Sequence, residues 1–372
     1  MQEYELECAI VRGGTTKGVY LDPRQLPADD NLRDRILLSL MGSPDIRQIN
    51  GLGGSDPLTS KVALISPSSH PDADVDYLSG EVNIDEPSIN YSTMCGNLAS
   101  GVALFAQAIG LVSSIDASHP VRIRNLNTGK LLFAAADMHN GELRYVRAEA
   151  IDGVQGFGTK IDLSFHDPAG PITGQLLPTG EVLEQLSVNG KLYSTSIVDC
   201  GTLYAFFRAT ELDLSGRESA ETIDATTNTR ELIEELRGRA AEKISNTLNR
   251  KIAPKQIKIA LVSAIPEKER STADIVARVV NRYKTHKVYP VTGALCLSAA
   301  ALIPGTIVHE YIKPEGPTAT IRIAHPSGIM QAGSMRAQCD HLHIEAANIH
   351  RSARILMRGH AHVIIDENSQ AL

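Results

Sequence analysis

The feature that most constrains this chain is the segment Leu98–Ile109, which carries no charge and is almost wholly small or apolar. A surface helix needs a polar face, so a helix that is apolar all round has to be buried. At about 1.5 Å per residue the segment would span under about 20 Å, too short to cross a bilayer. Gly110 is a typical helix stop. The segment therefore predicts a short helix enclosed by the rest of its domain.

Cys95 comes directly before this predicted helix and is followed by Gly96 and Asn97. A thiol there lies at the positive end of the helix dipole and faces unpaired backbone N–H groups, which favours the thiolate. The same N–H groups can bind a substrate carboxylate, and Gly96 lets a ligand approach the backbone closely. An inert buried cysteine is the alternative interpretation. We expect Cys95 to carry chemistry.

Two glycine-rich segments are further candidates. Arg12–Gly18 combines glycines, hydroxyls and cations, and it can form an anion-binding turn or a plain hairpin. Its spacing is not that of a phosphate-binding loop, so nucleotide binding is not expected. The second segment, Gly51–Ser60, leads into a predicted strand that begins at Lys61. This lysine is either a solvated charge at a strand end or, in a desolvated site, a group with a lowered pKa that can act as acid or base.

Composition narrows the class of protein. A length of 372 residues favours two domains, and 42% hydrophobic with 21% charged residues is typical of a soluble globular chain. The net charge of −7 and the absence of Trp argue against a nucleic-acid surface. No apolar run reaches membrane length, and the first residues do not resemble a signal peptide. We therefore expect a cytoplasmic protein with neither a nucleic-acid nor a membrane partner.

The number and spacing of the cysteines also favour a cytoplasmic protein. The chain has five widely spaced cysteines, an odd number that suits a reducing compartment better than a disulfide framework: Cys8, Cys95, Cys200, Cys296 and Cys339. No CxxC or HExxH pair is present to start a zinc site. We expect no metal and no cofactor.

The pattern of the chain repeats. A proline- and glycine-rich stretch at 167–180 separates two series of predicted strands, and a second uncharged apolar helix, near 293–303, is opened by Thr292 and Gly293. We predict an α+β protein with two halves, each a set of strands around one buried helix: residues 1–184 with 351–372 returning, and residues 185–350. The pattern also suggests a strand at Thr306–Tyr311 and a helical turn at Ser352–Met357.

Six motifs in order give the sequence a family resemblance: Arg12–Gly18, Gly53–Lys61, Cys95–Asn97, Leu177–Gly180, Ile303–Thr306 and His325–Gly328. Over essentially its whole length the chain resembles the 2-methylaconitate isomerase and 4-oxalomesaconate tautomerase family, which has the diaminopimelate-epimerase-like fold. The resemblance implies two pseudo-symmetric halves, each a β-barrel-like sheet around a central helix, with one active site in the cleft between them. It also implies cofactor-independent isomerisation of unsaturated di- or tricarboxylic acids.

The resemblance carries over to particular residues. The catalytic lysine and cysteine of the family fall on Lys61 and Cys95. Its carboxylate-binding elements fall on the glycine-rich loop, the helix start and the turn near residue 325. The implied substrate-binding residues are Thr16, Ser55, Ser60, Gly96, Asn97, Lys287, His325, Ser327 and Gly328.

Moving a double bond by one carbon requires a base to take one proton and an acid to return another. Donors held at the neighbouring carboxylate stabilise the carbanion formed in between. Lys61 and Cys95 can share these roles, and the sequence does not decide which is the base. The form of the Gly53–Lys61 loop favours 4-oxalomesaconate, while 2-methylaconitate, aconitate and methylitaconate stay open. The expected partner is a small unsaturated carboxylic acid, and a homodimer is left open.

Three other functions fit the sequence less well. Racemases of similar fold use two opposed thiols, but here Thr292 takes the position that matches Cys95, and Cys296 lies a turn further into a helix expected to be buried. A non-catalytic binding or accessory protein would not need Lys61 with Cys95. A pyridoxal-phosphate enzyme with Lys61 as Schiff base is disfavoured by the β-rich twofold pattern.

Overall fold

The structure is a computed structural model that describes residues 1–139, 142–143, 150–281, 284–314, 316–336 and 343–365. Cys339 lies outside these ranges. The chain divides into two compact units, Met1–Leu163 with His350–Leu372, and Ser164–Ile349. Residues 164–184, which the sequence pattern assigned to the first half, belong to the second unit. They are held there by backbone hydrogen bonds, for example from the Gly170 N–H to the Asp199 carbonyl.

The elements of the first unit alternate strands with two helices. They are β1 (Gln2–Gly13), β2 (Thr16–Leu21), α1 (Asp30–Met41), β3 (Lys61–Pro67), β4 (Val75–Val82), β5 (Ile89–Asn90), α2 (Gly96–Ala108), β6 (Val121–Asn125), β7 (Leu131–Ala136), β8 (Met138–His139), β9 (Glu142–Leu143) and β10 (Thr159–His166). The last strand, β10, continues into the second unit.

The second unit repeats this arrangement, with α4 as its longest helix. Its elements are β11 (Glu184–Val188), β12 (Lys191–Cys200), β13 (Thr202–Arg208), α3 (Ala220–Ala225), α4 (Thr227–Leu248), β14 (Lys258–Ala264), β15 (Ile275–Val280), α5 (Val291–Ala301), α6 (Ile307–Ile312), β16 (Thr318–His325), β17 (Gly328–Arg336) and β18 (Ile344–Ile365). The end of β18 returns to the first unit, where it pairs antiparallel with β1.

The two units share one strand topology. In the first, the pairs β1–β2, β2–β3, β3–β4, β4–β6 and β6–β7 are antiparallel, parallel, antiparallel, parallel and antiparallel. In the second, the pairs β12–β13, β13–β14, β14–β15, β15–β16 and β16–β17 follow the same order of directions. The first unit places α1 before the third strand of this series and the buried α2 after the fourth. The second unit places α3 and α4 before its third strand and the buried α5 after its fourth. The predicted pseudo-symmetric α+β fold is confirmed.

The uncharged helices are buried, as the sequence predicts. Residues 96–106 of α2 are all buried, and the helix is packed against β1, β2, β3, β4 and β7. Every residue of α5 is buried as well. The Tyr20 hydroxyl donates a hydrogen bond of 2.5 Å to the Leu98 carbonyl and so ties α2 to β2. Within the described ranges, no helix is both long and apolar enough to span a membrane.

The outer helices α1 and α4 cover the sheets with their apolar faces. Ile36, Leu37 and Met41 of α1 pack with β1, β2 and β3 in one core, and Ile233 and Leu236 of α4 pack with β12, β13 and β14 in another. Local signals fix the ends of α1: the Asp29 side chain accepts the Leu32 N–H at the start, and Gly42 is left-handed at the end. The strands of each unit therefore pack against an outer helix and a buried one.

Two local predictions are wrong. The segment expected as a strand at Thr306–Tyr311 is the helix α6, because the Thr306 hydroxyl caps it by accepting the His309 N–H at 3.2 Å. The helical turn expected at Ser352–Met357 is part of the long strand β18, whose antiparallel pairing with β1 supplies the backbone hydrogen bonds. In both places the competing interaction, a side-chain cap or a distant strand, outweighs the local hydrophobic pattern.

Candidate active site

Lys61 begins β3 and points into a buried environment. Its side chain is 9% exposed, and its Nζ lies 2.7 Å from Oε2 of Glu81, whose side chain is 45% exposed. The two residues stand directly opposite each other in the antiparallel ladder of β3 and β4. The strand pairing itself therefore brings the ammonium and the carboxylate together.

Burial by itself would lower the pKa of Lys61, but the charges of Glu81, Cys95 and Asp56 outweigh it, so the pKa lies above its ordinary value. Of the two interpretations that the sequence leaves open for Lys61, the lowered pKa is wrong. Its physical reason is Glu81, a carboxylate that the local sequence around Lys61 does not contain. Lys61 is an ammonium ion at neutral pH.

Cys95 is the N-cap residue of α2, and its side chain makes no capping hydrogen bond. Its backbone is fixed on both sides, because its N–H donates to Ser79 Oγ at 2.9 Å and its carbonyl accepts from the Tyr77 hydroxyl at 3.0 Å. Ser79 is held in turn by Asn127, whose Oδ1 accepts from Ser79 Oγ at 3.1 Å. This network positions the half-buried thiol at the start of the helix.

Three titratable side chains lie close enough to Cys95 for its charge to shift their pKa values. Burial first, and then Cys95, raise the pKa of Tyr20 and of Tyr77 well above the ordinary value. Cys95 also interacts electrostatically with Lys61. The lysine, the thiol and the two phenols therefore form one cluster.

The first turn of α2 presents backbone donors beside this cluster. The first intrahelical hydrogen bond runs from the Ala99 N–H to the Cys95 carbonyl, so the N–H groups of Gly96, Asn97 and Leu98 precede it. Asn97 is 7% exposed and its Nδ2 donates to Thr15 Oγ1 at 3.1 Å. Its Oδ1 is buried without a hydrogen-bond partner among the described residues. Such an end of a helix is suited to hold a carboxylate.

The Gly13–Thr16 turn between β1 and β2 packs directly on this helix start. A Cβ atom at Gly14 would lie 2.1 Å from Asn97 Oδ1, and Gly14 has a φ of +52°. Only glycine fits such a position without strain. Thr16, the last residue of this turn, is 2% exposed. The structure thus joins two motifs that are far apart in the sequence.

The glycine-rich loop before Lys61 is organised by Gln48. Its Oε1 accepts the Ser55 N–H at 2.9 Å, and its Nε2 donates to Ser60 Oγ at 2.7 Å. Ser60 is fully buried and its hydroxyl donates to the Val82 carbonyl at 2.9 Å, so both hydrogen bonds stay within the fold. Gln48 is 1% exposed. Sequence reasoning did not identify it, because a lone glutamine in a polar segment has no periodic pattern.

The other predicted substrate-binding residues lie together in the second unit. Ser327 Oγ donates to the Lys287 carbonyl at 2.6 Å, and the Ser327 N–H donates to His325 Nδ1 at 3.2 Å. His325 pairs with Gly328 where β16 turns into β17. The Lys287 ammonium is exposed and forms an ion pair of 3.1 Å with Glu221.

The described cysteines other than Cys95 are buried. Cys8 is 2% exposed, and Cys200 and Cys296 are fully buried. Burial raises the pKa of Cys296 well above its ordinary value, and its thiol donates to the Val198 carbonyl at 3.4 Å. The expectation that Cys296 is buried is confirmed. Across the described ranges, no group of three His, Cys, Asp or Glu side chains is arranged to hold a metal ion.

The repeated topology and the two buried helices define an α+β protein with a diaminopimelate-epimerase-like fold. Comparison with known proteins then gives the family. The PrpF protein family model matches residues 3–364, and the chain belongs to this family. The resemblance inferred from the six sequence motifs is confirmed, and the chain is an isomerase.

Relatives of known name cover almost the whole chain. The 3-methylitaconate isomerase of Eubacterium barkeri is 36% identical over 374 residues, which cover 97% of this chain and 98% of the relative. The 4-oxalomesaconate tautomerase of Pseudomonas putida is 35% identical and covers 96% of each chain. A crystal structure of a methylitaconate Δ-isomerase has a TM-score of 0.81 at 36% identity, covering 98% of this chain and 96% of the other.

Proposed function

We propose that this protein moves a carbon–carbon double bond in an unsaturated di- or tricarboxylic acid by allylic proton transfer, without a cofactor, and that Lys61 and Cys95 carry the protons. The observation that carries the proposal is the cluster at the start of α2. A buried ammonium interacts there with a thiol that makes no capping hydrogen bond, beside unpaired backbone donors. Relatives named for acting on methylitaconate and oxalomesaconate support the substrate class.

The chemistry follows from what each group can do. One group of the pair takes a proton from the allylic carbon, and the electron pair of that C–H bond spreads into the neighbouring carboxylate or keto group. The N–H groups at the start of α2 and the Lys61 ammonium stabilise the developing oxyanion. The other group of the pair delivers a proton to the far carbon, which completes the shift of the double bond. One C–H bond breaks and one forms, so no redox partner is needed.

The proposed substrate contacts differ in what supports them. Gly96, Asn97 and Thr16 surround the start of α2, where a carboxylate would find the backbone donors, and Ser55 lies on the loop that leads to Lys61. Ser60 supports that loop with a hydroxyl already used within the fold. In the second unit, Lys287, His325, Ser327 and Gly328 are a proposed carboxylate-binding group.

Among the substrates, we place 4-oxalomesaconate first on the form of the Gly53–Lys61 loop. Methylitaconate, 2-methylaconitate and aconitate are the alternatives. The identities of 36% to the methylitaconate isomerase and 35% to the oxalomesaconate tautomerase do not separate these two substrates. The test is incubation with this panel in D2O, followed by proton NMR. We expect one acid to isomerise with deuterium entering its allylic position, and 4-oxalomesaconate to turn over fastest. Isomerisation of none of the four acids would contradict the proposed substrate class.

The proposal also covers the cellular location and the assembly of the protein. A net charge of −7 and 42% hydrophobic residues support a cytoplasmic enzyme that acts on small molecules rather than on nucleic acid or at a membrane. A homodimer is the proposed assembly, and light scattering of the purified chain tests it, with twice the 40.1 kDa of one chain as the expected mass.

A further inference from the structure

Glu81 stands where it can decide which of the two catalytic groups is the acid. We propose that Glu81 is a positioning residue that keeps Lys61 as an ammonium ion, so that Lys61 donates the proton and Cys95 removes it. The inference rests on the proposed function, in which these two residues share the proton transfer. It adds a third residue and an order of events that the sequence motifs leave open.

The geometry of the pair supports this role. Lys61 and Glu81 are direct cross-strand partners, and the 2.7 Å between Nζ and Oε2 is a charge-assisted hydrogen bond. The exposure of the two side chains is unequal, 9% for the lysine and 45% for the glutamate. The lysine therefore bears most of the desolvation, while the carboxylate keeps part of its hydration. A buried ammonium without such a partner loses its proton readily.

Charged and titratable groups reach Lys61 from three elements. Glu81 faces it from β4, Asp56 from the glycine-rich loop, and Cys95 from the start of α2, with Tyr20 and Tyr77 beside the thiol. Of the three acidic groups, Glu81 favours the charged lysine most and is the one hydrogen-bonded to it. Without this carboxylate, burial would lower the pKa of Lys61 against only the weaker effects of Cys95 and Asp56.

A fixed ammonium orders the reaction. The Cys95 thiolate takes the allylic proton, and the electrons of that C–H bond move into the conjugated carboxylate. An N–H bond of Lys61 then breaks, its proton goes to the far carbon, and its electron pair stays on nitrogen as the amine. The new Cys95 thiol returns a proton to the Lys61 amine, which restores both groups. The cycle consumes no proton, electron or co-reactant.

The test substitutes Glu81→Gln, which keeps the size of the side chain and removes its charge. Glu86→Gln on the exposed turn after β4 is the matched control, and Glu81→Asp is the conservative variant that restores the charge on a shorter side chain. The ionisation of Lys61 is followed by NMR of protein labelled with 13Cε-lysine, with the Lys61 signal assigned by its loss in Lys61→Arg. This readout does not depend on activity.

We expect the pKa of Lys61 to fall by about one to two pH units in Glu81→Gln, to recover in part in Glu81→Asp, and to stay unchanged in Glu86→Gln. Because the lysine must be protonated, the alkaline limb of the pH–rate profile should move down by the same amount. An unchanged titration of Lys61 in Glu81→Gln would overturn the role of Glu81. A lowered pKa with faster turnover at neutral pH would make Lys61 the base and overturn the order. Full turnover in Lys61→Ala would instead remove the proposed function itself, whatever the titration shows.

Discussion

Replacing Gly14 with alanine tests whether the Gly13–Thr16 turn positions Asn97 for substrate. The Gly14 backbone has a φ of +52°, so an L-residue there costs about 1 kcal/mol in strain. The added Cβ would also lie 2.1 Å from Asn97 Oδ1 and 2.9 Å from Asn97 Cγ. Forcing that contact in a packed site costs about 1–3 kcal/mol more. We expect Gly14→Ala to lower the free energy of unfolding by about 2–4 kcal/mol in total.

The same chain offers a matched control at the other end of α2. Gly110 also has a positive φ, +77°, but a Cβ there would have nothing within 4 Å. Gly110→Ala therefore introduces the backbone strain alone, and we expect it to cost about 1 kcal/mol. The difference between the two variants measures the contact with Asn97 rather than the general cost of replacing a left-handed glycine.

The functional readout separates the two variants further. Displacing the Asn97 amide should remove one hydrogen bond to a substrate carboxylate, worth about 1.5–3 kcal/mol, and so raise KM by about tenfold or more. Gly110→Ala should leave KM unchanged. Urea unfolding gives the stabilities, and steady-state kinetics gives KM and kcat. If both variants had the same stability and the same KM, the account of how the turn and the helix start work together would be wrong.

The remaining predictions concern the loop and the chemistry. Gln48→Ala should lower the free energy of unfolding by about 2–3 kcal/mol in urea, since it leaves the Ser55 N–H and the Ser60 hydroxyl short of partners, while the exposed Gln185→Ala should stay within about 0.5 kcal/mol. A Gln48→Ala variant as stable as the wild type would show that the loop is held by other contacts. Turnover should be unchanged after dialysis against EDTA, because the proposed proton transfers use only the side chains of Lys61 and Cys95. Loss of activity that a divalent metal restores would contradict this.

The sequence predicted best what depends on composition over a whole element. The uncharged stretch after Cys95 could only be a buried helix, and α2 begins at Gly96 with Cys95 as its cap. The second uncharged stretch forms α5. This helix begins at Val291, two residues before the start at Gly293 that the sequence pattern indicated. Apolar periodicity is summed over many residues, so single errors do not change the outcome.

What the sequence could not predict depends on partners far along the chain. Glu81 meets Lys61 across a strand ladder, and Gln48 reaches Ser55 and Ser60 from the loop after α1. Such pairs have no local pattern. For that reason the sequence left a lowered pKa of Lys61 open, whereas the charge of Glu81 raises it. The helix α6 was predicted as a strand because β-branched residues follow Thr306. The Thr306 cap outweighs their preference for a strand.

The central claim is that Lys61 and Cys95 transfer the protons, and the most direct measurement is the turnover of their variants on the acid that isomerises fastest. We expect Lys61→Ala and Cys95→Ser each to reduce kcat by about two to four orders of magnitude, with folding retained by circular dichroism. Cys296→Ser, a buried cysteine of the second unit, should keep nearly full kcat. Solvent deuterium uptake into the substrate should disappear in Cys95→Ser, which lacks the base. Full turnover in Cys95→Ser together with its loss in Cys296→Ser would place the chemistry in the other unit and contradict the account.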